Sequence, residues 1–197
     1  MNPIQDMKRI NFDFPNDTME DLLYHLARYK FVARQLKKSW DVLEVGCGTG
    51  YGSNLLTQFA KSVNATELDV SLLTRARERF TRANLSYSDV PEKAGYDVVV
   101  CLEVIEHMSK DYGYKLLDHI DKYLKNKGIA FISTPRKIDN ASDNRKKYHL
   151  HEYNHDEFRA MLEEKFDKVL LFSQNDEIIS SQNFDNAWNY IAICFKG

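Results

Sequence analysis

The chain of 197 residues is long enough for one domain with a full hydrophobic core and short for two. Its 43% hydrophobic and 28% charged residues exclude the composition of a disordered chain. A formal net charge of −2 gives no overall electrostatic reason to bind nucleic acid, and no run approaches the roughly 18 apolar residues of a membrane span.

The N-terminus and the cysteines indicate the compartment. The first residues carry charges where a signal peptide needs an apolar core, which predicts a cytoplasmic protein. Cys47, Cys101 and Cys194 are odd in number and far apart in the chain. They are typical of reduced, mostly buried thiols rather than of a disulfide framework or a zinc cluster.

Apolar runs of strand length alternate with segments of helical period, which predicts a mainly parallel sheet covered by helices on both faces. An amphipathic helix over residues 22–36 comes before the first strand. Because only a loop joins the last two strands, we expect them to pair antiparallel. In chain order the predicted strands are 40–45, 62–68, 85–88, 96–102, 129–133, 168–173 and 188–195, and the further helices are 53–59, 71–82, 111–124 and 156–164.

A glycine-rich turn joins the first strand to the next helix, where Glu44 to Gly50 reads EVGCGTG. Glycines allow a tight turn and a close approach to a ligand, and the following helix N-terminus presents free N–H groups. The dinucleotide fingerprint GxGxxG is not met, because Gly50 follows Gly46 and Gly48 at a spacing of two. The pattern is instead an acidic residue followed by three alternate glycines.

This string resembles motif I of the class I S-adenosylmethionine (SAM)-dependent methyltransferases. Four further segments resemble that family's motifs in the same order: VNATELDVSLLTRAR, SDVP, YDVVV and GIAFISTP. The resemblance covers about residues 40–172, and as an ordered set it is specific. It implies SAM as cofactor and an α/β, Rossmann-like fold with a seven-stranded, mainly parallel sheet and an antiparallel last strand. We expect one domain, 1–197, with an N-terminal helical lid over 1–38 and a SAM-binding core over 39–197.

The resemblance also assigns cofactor contacts. Glu67 takes the ribose-binding position, since Asp69 comes two residues too late, although a helix cap is the alternative role for Glu67. Asp89 takes the position that meets the adenine amino group, or else forms a turn before Pro91. The other cofactor-binding residues that the motifs imply are Glu44, Gly46, Cys47, Gly48, Gly50, Leu68, Val90, Leu102 and Glu103.

The helix before the first strand must bury its apolar face outside the sheet core, and in similar methyltransferases this region folds over the cofactor. Tyr24, His25 and Arg28 lie within one turn and a neighbouring face. The guanidinium of Arg28 suits the methionine carboxylate of the cofactor. The alternative is a solvated arginine on an amphipathic helix.

Candidate groups for the chemistry follow the fourth strand, in CLEVIEHM, and the fifth, in HLHEYNHDEF. Methyl transfer to a hydroxyl requires the protein to position the acceptor and to remove a proton. In one interpretation His107, His149 or His151 is the general base. Ubiquinone-biosynthesis and related small-molecule and sugar O-methyltransferases carry a similar ending after the fourth strand. They also carry an H-x-x-E-[YF] segment, which His149, Glu152 and Tyr153 resemble.

In a second interpretation Glu103, Glu106, His107 and His149 or His151 bind one divalent metal. The small-RNA terminal-ribose 2′-O-methyltransferases carry a similar E-x-x-E-H string. Glu103 and Glu106 share a face if a helix has begun there, and the ligand types suit magnesium, manganese or iron. A basic set after the fifth strand favours RNA or forms a solvated face: Arg136, Lys137, Arg145, Lys146 and Lys147.

We predict an enzyme that uses SAM, without a metal, to methylate an oxygen of a small molecule or sugar, and we do not expect nucleic acid or membrane as partner. The alternatives are a metal-dependent RNA 2′-O-methyltransferase and a non-catalytic SAM-binding or partner-binding protein of the same fold.

Overall fold

The structure is a computed structural model that describes residues 19–197, with side chains from residue 22 onward. The part of the predicted lid before residue 19 lies outside the described residues. The helices are α1 (Met19–Ala33), α2 (Tyr51–Leu56), α3 (Val70–Arg79), α4 (Lys110–Tyr123), α5 (Asp143–Tyr148) and α6 (His155–Glu163). The strands are β1 (Asp41–Val45), β2 (Ser62–Thr66), β3 (Leu85–Ser88), β4 (Tyr96–Leu102), β5 (Leu124–Pro135), β6 (Lys168–Asn175), β7 (Ile178–Ser180) and β8 (Asn189–Phe195).

All eight strands form one sheet in the order β3-β2-β1-β4-β5-β8-β6-β7. Strands β1 to β5 pair with one another in parallel, and β8 is antiparallel to both β5 and β6. The predicted antiparallel pairing of the last two long strands is confirmed. The chain reverses its direction of travel across the sheet between β1 and β4, and such a switch point opens a crevice at the carboxyl ends of the strands.

The sheet has eight strands rather than the seven predicted. The additional strand, β7, is three residues long and pairs with the end of β6 across a turn at Asp176 (φ 58°). Strand β5 also starts earlier than predicted, at Leu124, because that residue pairs with Tyr96 before a bulge in the register. The loop after β5 contains a helix that was not predicted, α5, whose first turn Ser142 caps by accepting from Arg145 N at 3.2 Å.

The central strands are buried on both faces, as expected of parallel strands between two helical layers. Val99 and Cys101 face the layer that contains α4 and α6, whereas Val98 and Val100 face the layer that contains α1 and α2. Each fully buried aliphatic side chain of this kind stabilises the fold by about 1.5–3 kcal/mol. The three cysteines are buried, as predicted, and none is paired with another.

Helix α1 packs against the sheet through Val32 and Ala33, beside Leu56 of α2. This packing places the middle of α1 above the turn that joins β1 to α2. Within the described part of the chain, every helix is too short or too polar to cross a membrane.

Candidate active site

The glycine-rich turn is built for close approach of a ligand at Gly48. Gly46, Gly48 and Gly50 have φ values of 76°, 55° and 81°, a region that side chains with a Cβ rarely adopt. A Cβ at Gly46 would lie 2.5 Å from Val104, and one at Gly50 would lie 2.7 Å from the hydroxyl of Tyr87. A Cβ at Gly48 would meet no heavy atom within 4 Å, so this backbone borders open space.

That space is a cleft at the carboxyl ends of β1, β2 and β4. One cavity of about 430 Å³ lies under α1, and an adjoining one of about 290 Å³ lies between the β3–β4 loop and α4. Of the predicted cofactor residues, the first cavity is lined by Arg28, Gly46, Cys47, Gly48, Glu67, Leu68, Leu102 and Glu103, and the second by Gly46, Glu67, Leu68, Asp89 and Val90. The structure therefore brings most of the predicted set together around one cleft.

Glu67 lies where the two cavities meet. Its Oε2 accepts from Gly48 N at 2.9 Å, and its Oε1 accepts from Leu68 N at 2.9 Å and Asp69 N at 3.1 Å. The cap of α3 is Asp69, which accepts from Ser71 N and Leu72 N, so the alternative role of Glu67 as a helix cap is wrong. The amides hold the Glu67 carboxylate in place, and its remaining lone pairs suit a diol.

The second cavity is apolar and partly open. Leu68 is 83% exposed and Val90 61% exposed, and both line it. Neighbouring apolar side chains exposed at a cavity mouth are typical of a ligand-binding surface. Asp89 lines the same cavity and is exposed.

Two predicted cofactor residues lie behind the cleft rather than in it. Glu44 is buried and accepts from the hydroxyl of Tyr29 at 2.8 Å and from the hydroxyl of Ser53. Burial raises the pKa of Glu44 to about 7, against the opposing effect of these two hydrogen bonds. Gly50 is the N-cap of α2. Neither residue lines the two cavities, since Glu44 is held by Tyr29 and Ser53 and Gly50 caps the start of α2. Their role in cofactor binding stays a prediction.

Arg28 projects from α1 into the first cavity and is only 1% exposed, so the alternative of a solvated arginine is wrong. It donates to Gln174 Oε1 at 3.0 Å and to His25 Nδ1 at 2.9 Å. Because a guanidinium only donates, His25 Nδ1 is the acceptor and its Nε2 carries the proton toward the hydroxyl of Tyr24 at 3.0 Å. Burial, and then the charge of Arg28, lower the pKa of His25 well below its usual value.

Glu103 follows β4 in a left-handed conformation with φ 57°. Its carboxylate accepts from Ser133 Oγ at 2.6 Å and from Asn189 Nδ2 at 2.5 Å, and it lies 4.0 Å from Arg28. The condition for Glu103 and Glu106 to share a helix face is not met, since only a 3₁₀ turn over Ile105–His107 follows β4. Glu103 therefore faces the arginine rather than the other predicted metal ligands.

Three of the predicted metal ligands do come together. Glu106, His107 and His149 each place one possible ligand atom within 4.8 Å of the others. His107 donates from Nδ1 to the carbonyl of Tyr148 at 2.7 Å, and its Nε2 lies 3.9 Å from Glu106 Oε1. Burial, and then the nearby Glu103, raise the pKa of Glu106 well above its usual value. His107 also lines the first cavity, so this cluster adjoins the cleft.

His151 lies apart from this cluster. Its Nε2 pairs with Glu157 Oε1 at 2.9 Å, and its backbone N–H donates to the carbonyl of Glu106. Two members of the predicted basic set are also engaged inside the protein. Arg145 is buried against Glu152, and Arg136 donates to the carbonyl of Ala187. They do not belong to a solvated basic face.

Several lining residues were missed from the sequence: Tyr29, Thr49, Tyr51, Val104 and Met108. The hydroxyl of Thr49 is buried and has no hydrogen-bond partner among the described residues. Thr49, Val104 and Met108 lie next to predicted residues inside the quoted motifs, which was the available signal. The other two depend on where α1 and α2 pack.

The donor set fits SAM. An open glycine backbone and an unpartnered hydroxyl suit the amino-acid end of the cofactor, an acidic residue at the end of β2 suits its ribose, and an exposed apolar pair suits its adenine. Arg28 supplies a cation in the same cavity for the carboxylate.

Comparisons with known proteins agree with this fit. Residues 19–170, most of the chain, match the family model described as a methyltransferase domain. A curated relative from Mycobacterium tuberculosis H37Rv, named "Probable S-adenosylmethionine-dependent methyltransferase", is 31% identical over 150 residues, which are 71% of this chain and 54% of the relative. A ubiquinone biosynthesis O-methyltransferase from Rickettsia bellii is 30% identical over 151 residues, which are 68% of this chain and 61% of that protein.

The fold also matches solved structures. The structure titled small RNA methyltransferase HEN1 superimposes with a TM-score of 0.68 at 16% identity, covering 96% of this chain and 27% of that one. At that identity the match concerns the fold alone. The chain spans about half the length of the first curated relative it matches, 54%. From the family match and the motifs around the cleft, this chain belongs to the class I SAM-dependent methyltransferases.

Proposed function

We propose that this chain transfers the methyl group of SAM to an oxygen of a small-molecule or sugar acceptor. The observation that carries the proposal is the position of His107, which lines the cofactor cleft and also belongs to the cluster with Glu106 and His149. An imidazole at the edge of the cofactor cleft can accept the proton that an acceptor hydroxyl loses.

In the proposed reaction the cofactor supplies the methyl group and a histidine accepts the proton of the acceptor hydroxyl. When bound, SAM supplies an electrophilic methyl group on a sulfonium. His107 donates from Nδ1 to the carbonyl of Tyr148, so Nε2 is the ring nitrogen that takes a proton from the acceptor. His149 is the second candidate for this role, because it lies within the same cluster. Positioned proton transfer of this kind contributes about 10²- to 10⁴-fold to the rate.

We further propose that residues 1–38 act as the lid of a single domain whose core is 39–197. Support comes from α1, which brings Arg28 into the cavity and anchors Tyr29 to Glu44 at 2.8 Å. Such a helix excludes water from the cleft and contributes a charge to it.

The choice of oxygen is supported by the name of the Rickettsia relatives, which are O-methyltransferases. The test is tritiated methyl transfer from SAM to sugar nucleotides, catechols and short RNAs, each with and without EDTA. We expect transfer to a sugar nucleotide or a catechol that survives EDTA. Transfer to RNA alone contradicts the proposal.

Variants sharpen this test. His107→Gln should lower transfer about 10²- to 10⁴-fold while SAM still binds. His155→Gln, at the start of α6 and outside the cleft and the cluster, is the matched control. Equal losses in the two variants contradict a base at His107.

A second candidate function is methylation of an RNA terminal ribose with a divalent metal. It is favoured by the grouping of Glu106, His107 and His149, whose carboxylate and imidazoles suit magnesium, manganese or iron. Glu103, the fourth ligand of that interpretation, is instead bonded to Ser133 and Asn189. RNA methylation that EDTA abolishes supports this candidate over the first, and SAM binding without transfer to any acceptor supports a non-catalytic role.

A further inference from the structure

His149 is in contact with a buried ion pair formed by Glu152 and Arg145. Glu152 Oε1 lies 2.5 Å from His149 Nδ1 and 2.5 Å from Arg145 Nε. The side chains of Arg145, Glu152 and His149 are 2%, 8% and 9% exposed. Arg145 also donates to the carbonyl of Arg136 at 3.0 Å, so the arginine is fixed to the residue that follows β5.

This geometry determines the proton position on His149. Arginine stays charged and only donates, so Glu152 Oε1 is an ionised acceptor for Arg145. The same oxygen then accepts from His149, which requires a proton on Nδ1. In the neutral ring, Nε2 is left with the lone pair. Because Nδ1 of His149 is hydrogen-bonded to Glu152, its Nε2 is the ring nitrogen available to Glu106 and His107.

The same segment orients the other two members of the cluster. The carbonyl of Tyr148 accepts from His107 Nδ1 at 2.7 Å, and the backbone N–H of His151 donates to the carbonyl of Glu106 at 3.2 Å. Both histidines are therefore held through Nδ1 by neighbouring parts of one segment.

We propose that Glu152, fixed by Arg145, is the positioning residue that orients His149 and sets its tautomer, so that Nε2 faces the acceptor side of the cleft. This role adds a positioning residue to the proposed function, and its relevance to catalysis rests on that function. An outer carboxylate that receives the second N–H of a working imidazole is a general device for fixing ring orientation and basicity.

A second carboxylate–histidine contact in the protein, between Glu157 and His151, provides a matched control. Glu157 holds His151 at 2.9 Å through Nε2, the opposite ring nitrogen, and also pairs with Lys110 at 2.8 Å. His151 lies outside the cluster. A change at Glu157 thus removes an equivalent carboxylate–histidine contact without touching His149.

The test is a long-range ¹H–¹⁵N correlation spectrum of the full chain labelled with ¹⁵N-histidine, recorded at pH 8, with the His149 signals identified by their loss in His149→Gln. The wild type should show His149 as the Nδ1–H tautomer. The double variant Arg145→Met/Glu152→Leu leaves no unpaired buried charge and should shift His149 mainly to the Nε2–H tautomer. Glu152→Gln, which keeps an oxygen acceptor, should retain the wild-type tautomer.

Glu157→Leu should alter the His151 signals and leave those of His149 unchanged. An Nε2–H tautomer in the wild type overturns the inference even if the variants of Arg145 and Glu152 fail to fold. An unchanged His149 tautomer in a folded double variant, checked by thermal melting, also overturns it. Calorimetric SAM titration of the same samples keeps the proposed function separate, because absent SAM binding contradicts that function without affecting the tautomer result.

Discussion

Replacing Glu67 by alanine removes the carboxylate that we assign to the ribose hydroxyls of the cofactor. In the structure this carboxylate is partly buried and already accepts from Gly48 N at 2.9 Å, so its position is set before a ligand arrives. Hydrogen bonds to a charged group contribute about 1.5–3 kcal/mol each, and partial exposure reduces that value. For two hydroxyls we expect a loss of about 2 kcal/mol, or roughly 30-fold in affinity.

The assay is calorimetric titration of wild type and Glu67→Ala with S-adenosylhomocysteine and with its 2′,3′-dideoxy analogue. The loss should appear with the first ligand and largely vanish with the second, because the analogue has no hydroxyls to lose. The two-ligand comparison also controls for movement of the Gly48 turn, which affects both ligands. Equal losses with both ligands, or no loss with either, would refute the assignment of Glu67 to the ribose.

Three other predictions follow from the described contacts. Arg28→Gln should weaken SAM binding by about 2 kcal/mol, or roughly 30-fold, yet leave binding of 5′-methylthioadenosine, which lacks the carboxylate, unchanged. Arg34→Gln, at an exposed position just after the end of α1, should change neither. The pKa of Glu44 rises from 4.5 to about 7 on folding, so the free energy of unfolding should fall by about 3 kcal/mol as the pH rises from about 4.5 through 7. Urea unfolding should show that Glu44→Gln removes this part of the pH dependence, and an unchanged profile contradicts it. Gly48→Ala, with open space around its Cβ, should cost about 1–2 kcal/mol of stability and weaken SAM binding. Gly52→Ala, whose Cβ would lie 2.0 Å from the packed ring of Tyr29, should lower the melting temperature much more. Equal melting temperatures of the two variants would contradict this prediction.

The order of the long elements could be predicted because their hydrophobic periods differ and their ends carry local signals. Strand β4 has the predicted bounds, Tyr96–Leu102, since a run of apolar residues buried on both faces leaves no competing pattern. Strand β7 and helix α5 could not be predicted, because three and six residues are too few for a period to show. Their positions depend on pairing with β6 and on the cap from Ser142.

The candidate site shows the same division. Positions within the motifs, such as Glu67 and Gly48, follow from the strand-to-helix turn itself, and both line the cleft. Side chains whose partners are distant in the chain were harder to place. Glu103 turns toward Arg28 because Ser133 and Asn189 hold its carboxylate, and these partners come from two other strands.

The histidines differ for a similar reason. His149 and His151 are two residues apart, and the sequence does not distinguish them as candidate bases. Glu152 holds one and Glu157 the other, and only His149 joins the cluster. Which carboxylate each ring contacts depends on how the segment folds between α5 and α6.

Calorimetric titration of the folded chain with SAM and with S-adenosylhomocysteine tests the central claim most directly. The account predicts saturable binding of both ligands at one site per chain, with competition between them. Absence of binding by a chain that melts cooperatively would contradict the assignment of the cleft and, with it, the proposed methyl transfer.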